Sequence, residues 1–126
     1  MALAVGLVFI YGQTDVAVQS IRFDLTKIGE SIYAARSRSG RWPSQISDLE
    51  GTEYLKMPFR KGMLERKVFV VVWQSDLDPD PAANRDRILA YSTGGLLGKL
   101  GFVWACRGDL SIKRIQKDEI AALQVE

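Results

Sequence analysis

Apolar and polar positions change rhythm several times along this chain. Ala2 to Tyr11 (ALAVGLVFIY) is apolar apart from Gly6. From Val18 to Pro43 the rhythm is helical. Ile21, Leu25, Ile28, Ile32 and Ala35 recur at spacings of four, three, four and three, which draws one apolar stripe down an amphipathic helix. Arg22, Asp24, Lys27, Glu30, Arg36 and Arg38 fall mostly off that stripe, and Gly40 then Pro43 supply the stop. On periodicity alone this is a surface helix packed on a core. The segment SQISDLEG predicts a short helix with Ser44 as N-cap, Ile46 and Leu49 as its apolar face and Gly51 as its end. Glu53 to Gly62 has no clear period and reads as a basic connector, in which Tyr54, Leu55, Met57 and Phe59 cover one edge of the core.

The second half alternates at strand period. Val68 to Trp73 is continuously apolar and rich in β-branched residues, which predicts a strand buried on both faces. Arg87 to Tyr91 predicts a second strand, broken by STGG, and Gly101 to Cys106 a third. The Arg107-Gly108 step between apolar runs predicts a two-residue hairpin turn. Beyond it Leu110 and Ile112 alternate with Ser111 and Lys113, so the last strand has one wet face. KDEIAALQ closes the chain as a short helix with Ile120 and Leu123 inward. The expected fold class is α+β: a long N-terminal helix packed on a small antiparallel sheet, with a short C-terminal helix. The expected domains are an apolar N-terminal segment, 1–17, and a single α+β domain, 18–126.

The apolar start fits three structures. At ten residues it is too short to span a bilayer by itself, which takes about twenty, and it lacks the basic region and cleavage site of a secretory signal. It is the distal part of a membrane-spanning helix, a buried helix of a soluble fold, or an edge strand.

Composition narrows function mostly by exclusion. A chain of 126 residues holds one core. A formal charge of +2 is too small to argue for a nucleic-acid partner. Lys56, Arg60, Lys61, Arg66 and Lys67 cluster within twelve positions but accompany no binding motif, so they read as a solvated face. The absence of histidine removes the commonest general base and every His-ligated metal site. The lone Cys106 rules out an internal disulfide framework and a cysteine metal cluster. An enzyme is not expected, because the densest acidic group (Asp76, Asp78, Asp80, Asp86) has no nucleophile or base beside it.

That acidic group lies in the clearest loop, QSDLDPDPAANRD. Asp76, Asp78 and Asp80 follow the D-x-D-x-D opening of a calcium loop, which makes them the candidate metal ligands. Pro81 stands where the pattern takes glycine, and Arg87 where it takes glutamate. A solvated turn is the other reading.

Two stretches carry a family resemblance. Leu25, Ile28, Ile32 and Tyr33, followed by Gly40-Arg41-Trp42-Pro43 and then Asp48-Leu49, resemble type IV pilin-like proteins and type II secretion pseudopilins. There the stretch is the exposed half of the long N-terminal helix and the turn leaving it. Some major pseudopilins hold calcium in a loop of the sheet region. The run ILAYSTGGLLGKLGFVWACRGDLSIKRI resembles the end of pilin-like proteins abundant in planctomycetes, which carry a His-x9-Asp-Gly motif between their last strands. Leu97 stands at the histidine position and Arg107 at the aspartate position, while Gly108 is kept. The leader, the cleavage site and the glutamate near the start of the mature helix are also missing, and position 5 is Val5. Either the start is trimmed or misplaced, or the chain is no longer processed as a pilin.

The resemblance implies a structural subunit acting by helix-mediated association. Its partners would be other pilin-like subunits or copies of itself, with inner-membrane contact and no nucleic acid. Its domain would be extracytoplasmic at the inner membrane, or periplasmic or extracellular. Ile21, Leu25, Ile28 and Ile32 would hold the sheet to the helix, and Ala2 to Tyr11 would make the contacts between subunits. The alternative is a soluble binding or interaction module that reuses the fold without polymerising.

Overall fold

A computed structural model describes residues 2–93 and 101–125, with side chains for 18–93 and 101–121. Helix α1 (Ala2–Ser39) is unbroken over 38 residues, about 57 Å at 1.5 Å per residue. It ends where the sequence places the stop. Gly40 takes φ 78°, and its N–H closes on the Arg36 carbonyl at 2.8 Å, a conformation that a side chain would strain. Among the described residues, no helix is long and apolar enough to cross a membrane.

Four strands follow in antiparallel order: β1 (Phe69–Val71), β2 (Ile88–Ser92), β3 (Phe102–Arg107) and β4 (Ile112–Gln116). Helix α4 (Lys117–Val125) closes the chain. The fold is therefore α+β, with a long helix, a small antiparallel sheet and a short C-terminal helix.

The sheet has a core on each face. Leu25, Ile28, Ile32 and Ala35 of α1 meet Leu89, Ala90 and Cys106 on one side. Each large side chain buried there contributes about 2 kcal/mol by removal of apolar area from water. Ile88, Tyr91, Val103 and Ile115 form the opposite core, where Ile120 of α4 is buried with them. The pairing register of β2 slips between Ile88 and Ala90. This bulge lets the consecutive residues Leu89 and Ala90 both join the core on the α1 side, which strict alternation would forbid. Gly29 marks the close approach of helix and sheet. A Cβ there would stand 2.8 Å from both Cys106 Sγ and a Leu110 methyl carbon.

Several local expectations change. Ser44 is not the cap of its short helix. Instead the Asp48 carboxylate reaches back to accept from the Ser44 N–H at 2.9 Å and its hydroxyl at 3.2 Å, and the helix is a 3-10 turn over Ile46–Leu49. The stretch expected as a connector forms two short helices, α2 (Glu53–Lys56) and α3 (Arg60–Glu65). They are too brief to print a helical period.

The first strand is shorter than its apolar run and lies at the sheet edge. Phe69 and Val71 are buried, Val70 and Val72 half-buried, and Val68 is 41% exposed. The turn between β3 and β4 is longer than the expected two residues. Arg107 N–H donates to Ser111, and Leu110 N–H donates to Arg107. Leu110 holds the left-handed position at φ 69°, where glycine is usual. Leu97 and Leu123 lie outside the residues whose side chains are described.

Candidate functional site

The side chains that organise this molecule converge on α1 at two places. Asp24, Lys27, Ser31 and Ala35 recur at helical spacing along one side of α1, where α2 packs and α3 reaches in through Arg60. Asp24 is only 2% exposed. Arg60 holds it from α3: Nη2 donates to Oδ1 at 3.3 Å. Arg60 Nε stands 3.2 Å from Oδ2, but that N–H is not aligned as a hydrogen bond, so this contact is ionic. The Tyr54 hydroxyl donates a long bond to Oδ2 at 3.4 Å, and the Tyr54 N–H donates to Ser31 Oγ at 3.2 Å. Burial first, then the Asp24 charge, pushes the Tyr54 phenol well above its ordinary range.

The second convergence lies about half a turn round the helix. The Tyr33 hydroxyl donates to the Gly108 carbonyl at 2.6 Å and accepts from Asn84 Nδ2 at 2.8 Å. Asn84 is buried and exchanges two bonds with Asp78: Nδ2 to the carbonyl at 2.7 Å, and the Asp78 N–H to Oδ1 at 2.9 Å. Gly108 approaches so closely that a Cβ would overlap the Asn84 backbone. Its N–H donates to the Arg87 carbonyl at 2.9 Å. Tyr33 also meets Trp42 edge to face at 5.5 Å, and the Arg36 guanidinium lies 5.5 Å from the centre of the Trp42 ring. The residues behind the two family resemblances thus touch: Tyr33 and Trp42 of the helix exit, and Gly108 of the hairpin.

The three candidate metal ligands are engaged separately. Asp76 pairs with Arg87 at 2.6 Å, and that contact holds its carboxyl below the usual range. Asp78 Oδ1 accepts the Asp80 N–H at 2.8 Å, and Asp80 Oδ1 accepts from Ala82 at 3.1 Å, capping the 3-10 turn Pro81–Asn84. Among the described residues, no group of three or more His, Cys, Asp or Glu side chains is placed to hold a metal ion. Asp76, Asp78 and Asp80 are therefore not brought together as a calcium cage. Arg87, in the place of the expected glutamate, brings a positive charge instead.

Two groups with nucleophilic potential, Cys106 and Tyr33, are held protonated. Burial pushes the Cys106 thiol up to about 12 and raises the Tyr33 phenol as well, which suits packing more than reaction.

Surfaces remain. Phe59, the residue leading into α3, is 82% exposed with φ 67°, a left-handed backbone costing a side-chain-bearing residue about 1 kcal/mol. A groove of about 400 Å³ lies between α1 and the acidic loop, lined by Tyr33, Arg36, Ser37, Gly40, Pro79 and Pro81. Another, of about 720 Å³, runs between α1 and β4 past Phe23, Leu110 and Ile112. A third, about 510 Å³ and mostly polar, follows the helix exit from Arg38 to Asp48.

Sequence reasoning put Tyr54 at the core, where it is buried, but set Asp24 off the buried stripe and Arg60 on a solvated face, and it missed Asn84 and Gly29. Asp24 had a signal: it shares the spacing of Ile28, Ser31 and Ala35. Asn84 had none, because its partners lie 51 and 6 residues away. No family model, curated protein or solved structure matches the chain.

Proposed function

We propose that this chain is a pilin-like structural subunit that acts by assembly. The observation that carries the reading is the continuity of α1. One unbroken helix bears the apolar run Ala2 to Tyr11 at its start and the core residues Leu25, Ile28 and Ile32 further on. A domain mounted on such a helix presents its sheet and loops outward while the apolar start meets partner helices. The contact of Tyr33 with Gly108 supports the reading, since it joins the two stretches on which the resemblance rests. The partners are copies of this chain or other pilin-like subunits. The proposed location is an extracytoplasmic domain at the inner membrane, or the periplasmic or extracellular space. No catalytic role is assigned.

Deleting 1–12 tests this. The shortened chain should remain folded and monomeric while the full chain associates, as read by sedimentation and circular dichroism. Loss of the folded domain would place the first segment in the core and sink the assembly role.

A second reading is a binding module that does not polymerise. The open groove beside Phe23, Leu110 and Ile112 favours it, because it adjoins β4 at the sheet edge. A single discrete mass for the full chain at every concentration would select it.

A further inference from the structure

We propose that successive copies of this chain dock head to tail, with Phe59 of one copy seated in the groove between Tyr33, Pro79 and Pro81 of the next. The inference rests on the assembly reading above and names the contact that would carry it.

The Phe59 carbonyl accepts the Met63 N–H at 3.2 Å, but its ring joins neither core of its own fold. Its ring is 82% exposed, and its backbone sits at φ 67°, where asparagine or glycine would be relaxed. A large aromatic group kept at such a position suits an interface anchor, since buried aromatic side chains dominate binding energy. The groove on the other side of the molecule offers the matching surface. Two proline rings and the Tyr33 ring give it apolar walls, with Gly40 at its end. Arg36 also lines it and can face an incoming ring as a cation.

Charge favours a second copy as the occupant. In the chain Phe59 stands among Lys56, Arg60, Lys61, Arg66 and Lys67, whereas Asp78 and Asp80 flank Pro79 and outnumber the single cation of the groove, Arg36. Arg60 is committed to Asp24 and Lys61 to Glu50 in an exposed pair, while Lys56, Arg66 and Lys67 also face solvent.

Geometry favours a repeating contact over a closed pair. The helices flanking Phe59 pack on the side of α1 bearing Asp24, Lys27 and Ser31. The groove lies on the side bearing Tyr33, Arg36, Ser37 and Gly40, about half a turn round at 3.6 residues per turn. It is also displaced toward the end of the helix: Tyr33 to Gly40 lie 9 to 16 residues beyond Asp24 and 2 to 9 beyond Ser31, roughly 3–24 Å in all. Two complementary patches on opposite sides and at different heights make a heterologous contact. Each copy is then shifted along α1 relative to the last, so the contact propagates.

The test is disulfide cross-linking of the full chain carrying K56C and A82C, which place one thiol beside Phe59 and another beside Pro81. Cys106 is buried and stays silent. Mild oxidation should give a ladder of multimers, and each single variant alone should give none. Adding F59N, a residue suited to the left-handed backbone, should keep the fold and reduce the ladder at least tenfold. F59W should restore it. Adding S37W, which fills the groove, should also abolish it.

A ladder that survives F59N overturns the proposal. If the unmodified chain associates by mass but no ladder forms, this contact is wrong while assembly stands. A chain that is monomeric throughout overturns both. If F59N instead lowers co-sedimentation with phosphatidylglycerol vesicles and no ladder forms, Phe59 is a membrane anchor and the proposal fails.

Discussion

The two places where α1 fastens the rest of the molecule do the same mechanical work with different chemistry. At Asp24 a buried carboxylate is held by Arg60 and Tyr54, tying α2 and α3 to the helix. At Tyr33 a phenol and the Asn84 amide tie the acidic loop and the hairpin turn to it without any charge. A buried ion pair adds little net stability over an apolar pair of the same shape, yet removing one partner is severe. A neutral network costs less to break, because the groups left behind are dipoles. The charged anchor therefore ought to act as an all-or-none register for α2 and α3. The neutral one ought to tolerate single losses.

Removing the positive partner should give the largest effect. Arg60→Met leaves Asp24 buried beside Tyr54 and should cost about 3 kcal/mol in urea unfolding. The double change Asp24→Leu with Arg60→Met should recover most of that loss, and if it does not, packing and not charge is what Arg60 supplies.

Tyr33→Phe comes next. It removes the hydroxyl between Gly108 and Asn84 while keeping the ring against Trp42, at a cost of about 1–2 kcal/mol. A loss as large as that of Arg60→Met would erase the distinction between the anchors.

The smallest effect lies in acid, at two exposed carboxyls in the loop and turn that the Tyr33 anchor holds. Asp109 is held below the usual range by the Ser111 hydroxyl and N–H, and Asp76 by Arg87. A carboxyl whose folded pKa is depressed stabilises the fold above its unfolded value, about pH 4, and that contribution disappears as pH falls through the folded value. Both groups are exposed, so screening keeps the change small. Urea midpoints should decline gently below pH 4, and Asp109→Asn should shallow that decline. A midpoint that rises on acidification would contradict the assignment.

Much of the architecture was legible because it depends on period alone. The stripe Ile21, Leu25, Ile28, Ile32 and Ala35 requires a helix with one buried side, and the stop at Gly40 follows from a backbone only glycine takes easily. The strands around Ile88, Phe102 and Ile112 were likewise visible as apolar runs. The α2 and α3 turns were not, since four and six residues cannot show a period. The acidic loop looked like a cation site because D-x-D-x-D is a spacing. Its carboxylates turned instead to Arg87 and to neighbouring backbone N–H groups, which only the folded loop reveals.

Local chemistry, then, was enough to settle the helix from Val18 onward, its end, the strands and the α+β class, because propensity and amphipathic period act over a few residues. Tertiary structure alone decided that Asp24 is buried against Arg60, that Gly29 lets Cys106 approach the helix, and that Asn84 joins Tyr33 to the acidic loop. Those choices pair groups 36, 77 and 51 positions apart in the chain. No spacing rule reaches that far; the Asp24–Arg60 and Tyr33–Asn84 pairs are selected by the demand that every polar group taken from water find another, and the Gly29–Cys106 approach by close packing.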